Sequence, residues 1–124
     1  MNDRIRVFSV DDHPSMREGL AMVIDSQPDM LMVAQASNGR EAIESFREFK
    51  PDVTLMDLRL PDMSGIDAAI AIRTEFPEAR IIILTTFDSE TERQRALAAG
   101  ASAFVLKGMT PRKLLEAIHQ VHAG

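Results

Sequence analysis

Val53-Thr54-Leu55-Met56 is a short apolar run closed by one acid, Asp57. Lys50-Pro51-Asp52 stands before it and breaks any preceding helix, because the residue ahead of a proline is turned away from helical backbone. Three more runs of strand length have the same form. Ile5-Arg6-Val7-Phe8-Ser9-Val10 is closed by Asp11 and Asp12, Ile81-Ile82-Ile83-Leu84 by Thr85, and Ala103-Phe104-Val105-Leu106 by Lys107. Met30 to Ala36 reads as another strand, second in chain order.

Helix-period segments fill the intervals. The first begins near Pro14, with Met16, Leu20, Val23 and Ile24 on one stripe; proline at a first helical position sacrifices no needed donor. Asn38-Gly39-Arg40-Glu41 resembles a capping box and opens a helix with Ala42, Phe46 and Phe49 on one side. A loop from Leu58 to Ser64 precedes a helix running through about Phe76 and stopped by Pro77. Ser89 and Glu92 repeat the capping-box pattern, and that helix ends at Gly100, a residue suited to left-handed backbone. Thr110-Pro111 caps a last helix carrying Leu114, Leu115, Ile118 and Val121. Five βα repeats imply an α/β fold: one parallel sheet, doubly wound, covered on both faces. Right-handed crossovers favour a flavodoxin-like strand order 2-1-3-4-5, with the switch point between strands one and three.

The 124 residues suit one domain, 1–124, large enough for a core. A net charge of −5 argues against nucleic-acid binding by this segment itself. There is no cysteine, so disulfides and thiolate metal sites are excluded. No apolar run approaches membrane-spanning length, and the start Met1-Asn2-Asp3-Arg4 lacks a signal-peptide pattern. A soluble, cytoplasmic domain with no membrane partner is expected.

In an open parallel sheet, ligands bind beyond the carboxyl ends of the strands. Asp11, Asp12, Asp57, Thr85 and Lys107 therefore converge on one crevice. Mg²⁺ prefers oxygen ligands and usually takes one or two carboxylates plus waters. Asp12 and Asp57 suit that role, with Asp11 holding a bound water. A carboxylate can also be a nucleophile and form an aspartyl phosphate. Asp57 is the best candidate, as the lone acid ending a central strand. Lys107 and the Thr85 hydroxyl would each meet a phosphoryl oxygen. Taken singly, each residue has a plainer reading: an N-cap for the Asp pair, a loop acid for Asp57, a strand-end Thr bonded to backbone, a solvated Lys. Their joint placement is the stronger signal.

The chain resembles the receiver domain of two-component response regulators over essentially its whole length. The markers are Val10-Asp11-Asp12-His13-Pro14, Met56-Asp57-Leu58-Arg59-Leu60-Pro61-Asp62-Met63-Ser64-Gly65, Leu84-Thr85, Ala99-Gly100-Ala101 and Phe104-Val105-Leu106-Lys107. The resemblance implies that a sensor histidine kinase donates phosphoryl to Asp57, with Mg²⁺ required. It implies Asp12, Asp57 and the backbone carbonyl of Arg59 as metal ligands, Asp11 acting through water, and Thr85 and Lys107 on the phosphoryl oxygens. Pro61 and Gly65 would shape the loop after Asp57. It also implies a phosphoacceptor that assists its own phosphorylation and dephosphorylation, rather than a turnover enzyme. His13-Pro14-Ser15-Met16-Arg17-Glu18-Gly19-Leu20 and Pro111-Arg112-Lys113-Leu114-Leu115-Glu116-Ala117-Ile118 look like the NarL/FixJ (LuxR-type) subfamily. Its members usually carry a C-terminal helix-turn-helix DNA-binding domain. A transcriptional regulator is thus expected, contacting DNA only through a domain not in this chain, with homodimerisation on phosphorylation. Many receivers have Pro after the phosphate-binding Lys and a small residue after the switch Thr; here Gly108 and Thr86 stand there, and Thr86 could narrow access to Asp57. Arg59 and Phe87 occupy positions that tune phosphoryl lifetime in the family.

For signalling, a phosphoryl group must bias a two-state element. The expected element is Thr85, drawn toward the phosphoryl group, with Phe104 swinging inward; a fixed core aromatic is the plainer reading of Phe104. His13, His119 and His122 read as surface or cap residues, and Glu116, His119 and His122 as a poor metal site on a terminal helix. Met16, Met22, Met30, Met32, Met56 and Met63 read as core and cap fillers. Arg112 and Lys113 read as facing solvent. Two rival functions carry less weight. A Mg²⁺-dependent phosphatase commonly needs a second acid two residues after the nucleophile, and position 59 is Arg. A degenerate binding module does not need the intact acidic set.

Overall fold

The computed structural model describes residues 4–124; the opening Met1-Asn2-Asp3, part of the start read above for a signal peptide, lies outside the described residues. Strands and helices alternate strictly: β1 Ile5–Val10, α1 Pro14–Asp25, β2 Met30–Ala36, α2 Gly39–Phe49, β3 Val53–Asp57, α3 Gly65–Glu75, β4 Ile81–Thr85, α4 Glu90–Ala98, β5 Ala103–Leu106 and α5 Pro111–Ala123. The five strands are parallel in the order β2-β1-β3-β4-β5. This is the flavodoxin-like topology expected from the repeat.

The apolar runs are continuous because the sheet is covered twice. Successive residues on a strand point to opposite faces. On one face, Phe8, Met56, Ile81, Ile83 and Phe104 pack with Phe46 of α2, Ile72 of α3 and Ala96 of α4. On the other, Val7, Leu55, Ile82 and Leu84 pack with Leu20 and Ile24 of α1 and Leu114 and Ile118 of α5. β3 and β4 are buried throughout, whereas β5, at the sheet edge, leaves Leu106 exposed. Met22 also departs from expectation. It is 75% exposed, because it falls off the Met16–Leu20–Ile24 stripe of α1.

Helix starts follow the cap residues. The side chains of Asn38, Ser89 and Thr110 accept from the amides of Glu41, Glu92 and Lys113, as read from sequence, and Ser64 accepts from Ile66. Thr54 is the discordant core residue. Its Oγ1 is buried on β3 with no hydrogen-bond partner among the described residues. An unmet buried hydroxyl costs about 1–3 kcal/mol, and valine has nearly the same shape. Thr54→Val is therefore expected to gain about 1 kcal/mol in urea unfolding; a loss of stability would show that the hydroxyl is satisfied.

Candidate functional site

The carboxyl ends of β1, β3, β4 and β5 meet at one edge. β1–β2 pairing continues one residue past Val10, since the Asp11 amide donates to the Ala36 carbonyl at 3.0 Å. Asp11 is 1% exposed. Its Oδ1 accepts from the His13 amide at 2.9 Å and lies 2.8 Å from His13 Nδ1. The helix that follows is capped by His13 without a side-chain cap bond, so the plain N-cap reading of the Asp pair is not what the fold uses. Asp57 and Thr85 are the last residues of β3 and β4, one residue inside the strands rather than just beyond them.

Lys107 joins the two buried acids. Its Nζ lies 2.9 Å from Asp11 Oδ2 and 3.1 Å from Asp57 Oδ2, with the side chain only 12% exposed. The Lys107 amide donates to the Thr85 carbonyl at 2.7 Å, which fixes the stem of that side chain beside β4. It is no solvated loop cation. Thr85 makes the plain strand-end contact, its Oγ1 accepting from the Phe87 amide at 3.3 Å. That leaves the hydroxyl hydrogen able to donate.

Asp11, Asp12, His13 and Asp57 each offer a ligand atom, and all these atoms lie within 4.8 Å of one another. The three carboxylates are those expected. His13 is the addition: its Nδ1 is also 3.1 Å from Asp12 Oδ1. The signal for it was its place directly after the acid pair, at the cap where the chain must turn. Carboxylate oxygens crowded this closely fit a hard divalent cation such as Mg²⁺. Arg59 lies in the loop after β3, where it bridges back to Ser64.

The two buried carboxyls are pushed in opposite directions. Burial raises both. In Asp11 this is overcome by the His13 amide, Lys107 and the His13 ring, so the carboxyl sits below its ordinary value. In Asp57 burial prevails, aided by the Asp11 charge, and the carboxyl sits above its ordinary value although Lys107 and the Arg59 amide oppose this. Burial lowers Lys107, but its bonds to Asp11 and Asp57 outweigh that and raise it. Asp11, then Asp12, hold the His13 imidazole above its usual value. Neighbouring acids driven apart in this way are common at functional sites and also occur in structural ion-pair networks.

The loop from β3 to α3 is pinned at both ends. Gly65 donates to the Leu58 carbonyl at 2.7 Å. Asp62 crosses to the start of α2, its Oδ1 and Oδ2 accepting from the amides of Gly39 and Arg40 at 2.8 and 3.0 Å. Those amides, Gly39 first, hold the Asp62 carboxyl below its ordinary value. A carboxyl lowered in the folded state stabilises above its unfolded pKa, and the gain is lost as pH falls through the folded value. Amide exchange at Gly39 and Arg40 is thus expected to quicken on acidification below pH about 4, relative to the intrinsic rate. An Asp62→Ala variant should show the faster exchange at every pH. Protection unchanged in that variant would rule the contact out.

Thr86 and Phe87, the two residues after Thr85, are both exposed. The Phe104 ring is already inside, 7% exposed, with the Arg93 guanidinium carbon 5.0 Å from its centre. The histidines of α5 form no metal cluster among the described residues. His119 Nε2 contacts Asp29 Oδ2 at 2.6 Å, and Glu116 pairs with Arg112 at 3.5 Å.

The model of the response regulator receiver domain matches residues 7–119. The uncharacterized transcriptional regulatory protein YxjL of Bacillus subtilis is 42% identical over 122 residues, 98% of this chain and 56% of that protein. The response regulator protein VraR of Staphylococcus aureus is 35% identical over 120 residues, 97% of this chain and 57% of that one. The chain thus spans little more than half the length of these curated relatives. A LuxR-family two-component response regulator from Aurantimonas superposes with a TM-score of 0.94 at 40% identity, covering 98% of this chain and 86% of the other. The signal receiver domain of the response regulator NarL from Mycobacterium tuberculosis gives 0.94 at 31% identity, covering 98% of each.

Proposed function

Because the chain belongs to the response regulator receiver domain family, as a receiver domain of LuxR type, we propose that it works by accepting a phosphoryl group on Asp57 from a sensor histidine kinase. The observation that carries this reading is Lys107 Nζ held between Asp11 Oδ2 and Asp57 Oδ2. A carboxyl group at a strand end beside a fixed cation is a nucleophile with a charge ready for the arriving oxygens.

An Asp57 carboxylate oxygen forms the bond to phosphorus, and the donor's bond to phosphorus breaks with its electron pair leaving on the donor. Lys107 follows the charge onto a phosphoryl oxygen, and the free Thr85 hydrogen donates to another. Asp12 and Asp57, with the Arg59 carbonyl and Asp11 acting through water, would hold Mg²⁺. When bound, that ion supplies positive charge against the phosphoryl oxygens. The carboxylates' mutual repulsion falls with it. Movement of Thr85 toward the phosphoryl group would alter packing around Phe104 and Arg93, and so the surface of α4, β5 and α5.

Through that surface the domain would control a C-terminal helix-turn-helix DNA-binding domain in a longer cytoplasmic transcriptional regulator, with homodimerisation on phosphorylation. No described helix is long and apolar enough to cross a membrane. In intact-protein mass spectrometry, acetyl phosphate with Mg²⁺ is expected to add one phosphoryl group, and acetyl phosphate without Mg²⁺ none. The absence of any adduct would favour a degenerate binding module instead.

A further inference from the structure

We propose that Glu92 is a positioning residue for phosphoryl capture: it holds the Arg59 guanidinium against α4, away from an anionic donor arriving at Asp57. This rests on the phosphoacceptor function proposed above. Arg59 is the second residue after Asp57, and its terminal nitrogen lies 3.5 Å from Glu92 Oε1. The guanidinium arm is 72% exposed and the Glu92 carboxylate arm 27%, so the acid is the fixed partner and the arginine the one able to move.

The geometry of α4 shows that this pairing replaces a local one. Ser89 Oγ accepts from the Glu92 amide, which is half of a capping box. The other half would fold the Glu92 carboxylate back onto the Ser89 amide. Instead the carboxylate reaches across to Arg59. Both residues line a hollow of about 320 Å³ between the β3–α3 loop and α4, together with Leu58, Ser64 and Arg95.

The charge balance gives the pairing its consequence. Lys107 is already shared between Asp11 and Asp57, with Asp12 beside them. A dianionic donor therefore approaches a mouth rich in acid. Arg59 is the cation closest along the chain to Asp57, and Glu92 cancels its charge. Glu92→Gln keeps the shape of the side chain and the backbone amide that Ser89 caps. It frees the guanidinium to meet the donor.

The test is a double-mutant cycle on the initial rate of labelling by acetyl phosphate with Mg²⁺, read by intact mass. Glu92→Gln is expected to raise the rate about threefold to tenfold at low salt, since one exposed charge at several ångströms is worth a few-fold and a new contact more. The gain should shrink in about 0.5 M salt, where exposed charges are screened. It should fall to less than half when Arg59→Gln is also present. An equal gain in the Arg59→Gln background would make Glu92 a mere field charge and overturn the proposal. So would an unchanged rate in Glu92→Gln when the parent chain labels normally. A parent chain that takes no label at Asp57 would overturn the phosphoacceptor function itself, and the role of Glu92 with it.

Discussion

Asp57→Asn is expected to take up no phosphoryl group from acetyl phosphate and Mg²⁺, and at neutral pH to unfold at a higher temperature than the parent chain. The first half follows from chemistry, because an amide is not a nucleophile of this kind. The second follows from burial. Asp57 is 5% exposed, and its carboxyl sits above the ordinary value, desolvation outweighing the help of Lys107. Between the unfolded and folded pKa the folded chain holds more protons, so stability falls as pH rises through that window and stays lower above it. Asparagine does not ionise and escapes that loss. Lys107 keeps its partner Asp11 at 2.9 Å. A higher melting point is expected at neutral pH, with the difference narrowing in acid. Labelling at full extent would remove Asp57 from its role. A lower melting point would mean that the pair with Lys107 outweighs the burial.

Gly65→Ala should damage both fold and labelling while leaving every charge in place. A Cβ there would stand 2.1 Å from the Asp57 carbonyl oxygen and 3.1 Å from the Leu58 Cα. Both are backbone atoms in or next to β3, so no side chain can swing aside. Either α3 backs away from its first turn or the end of β3 shifts. Overpacking of this kind costs about 1–3 kcal/mol. A displacement near 1 Å at a reacting group costs up to about 100-fold in rate. Urea unfolding and the initial labelling rate should both fall. Gly108→Ala is the control: nothing lies within 4 Å of its added carbon, so both measurements should stay at parental values. Equal behaviour of the two variants would show that the loop absorbs the methyl group.

The strands were legible because a doubly covered sheet demands uninterrupted apolar runs, and helix ends because caps and proline have local chemistry. Gly100, expected to be left-handed, has a φ of 95°. Lys50 also adopts left-handed backbone, with φ of 44°, and nothing local in the sequence distinguishes it from an ordinary helix end. Asp11, Asp12, Asp57 and Lys107 could be placed together because topology alone carries strand ends to one edge. The partners of Asp62, Glu92 and Arg93 could not. Their side chains reach other elements, Asp62 to α2, Glu92 to the loop after β3 and Arg93 to the Phe104 ring, and residue order does not encode such distances. The Glu92 capping pattern even pointed to the wrong partner for its carboxylate.

The bond from Lys107 to Asp11 spans 96 residues of chain. A ribosome releases the acids first and the ammonium last. Asp11, Asp12 and Asp57 are joined to the chain before β4 and β5 are made. Until β5 docks beside β4, the growing chain carries three acids without Lys107 to share between Asp11 and Asp57. Completion of the domain and the arrival of its counter-charge are therefore one event in synthesis, and a chain stalled before β5 has the acids for the chemistry but not the lysine.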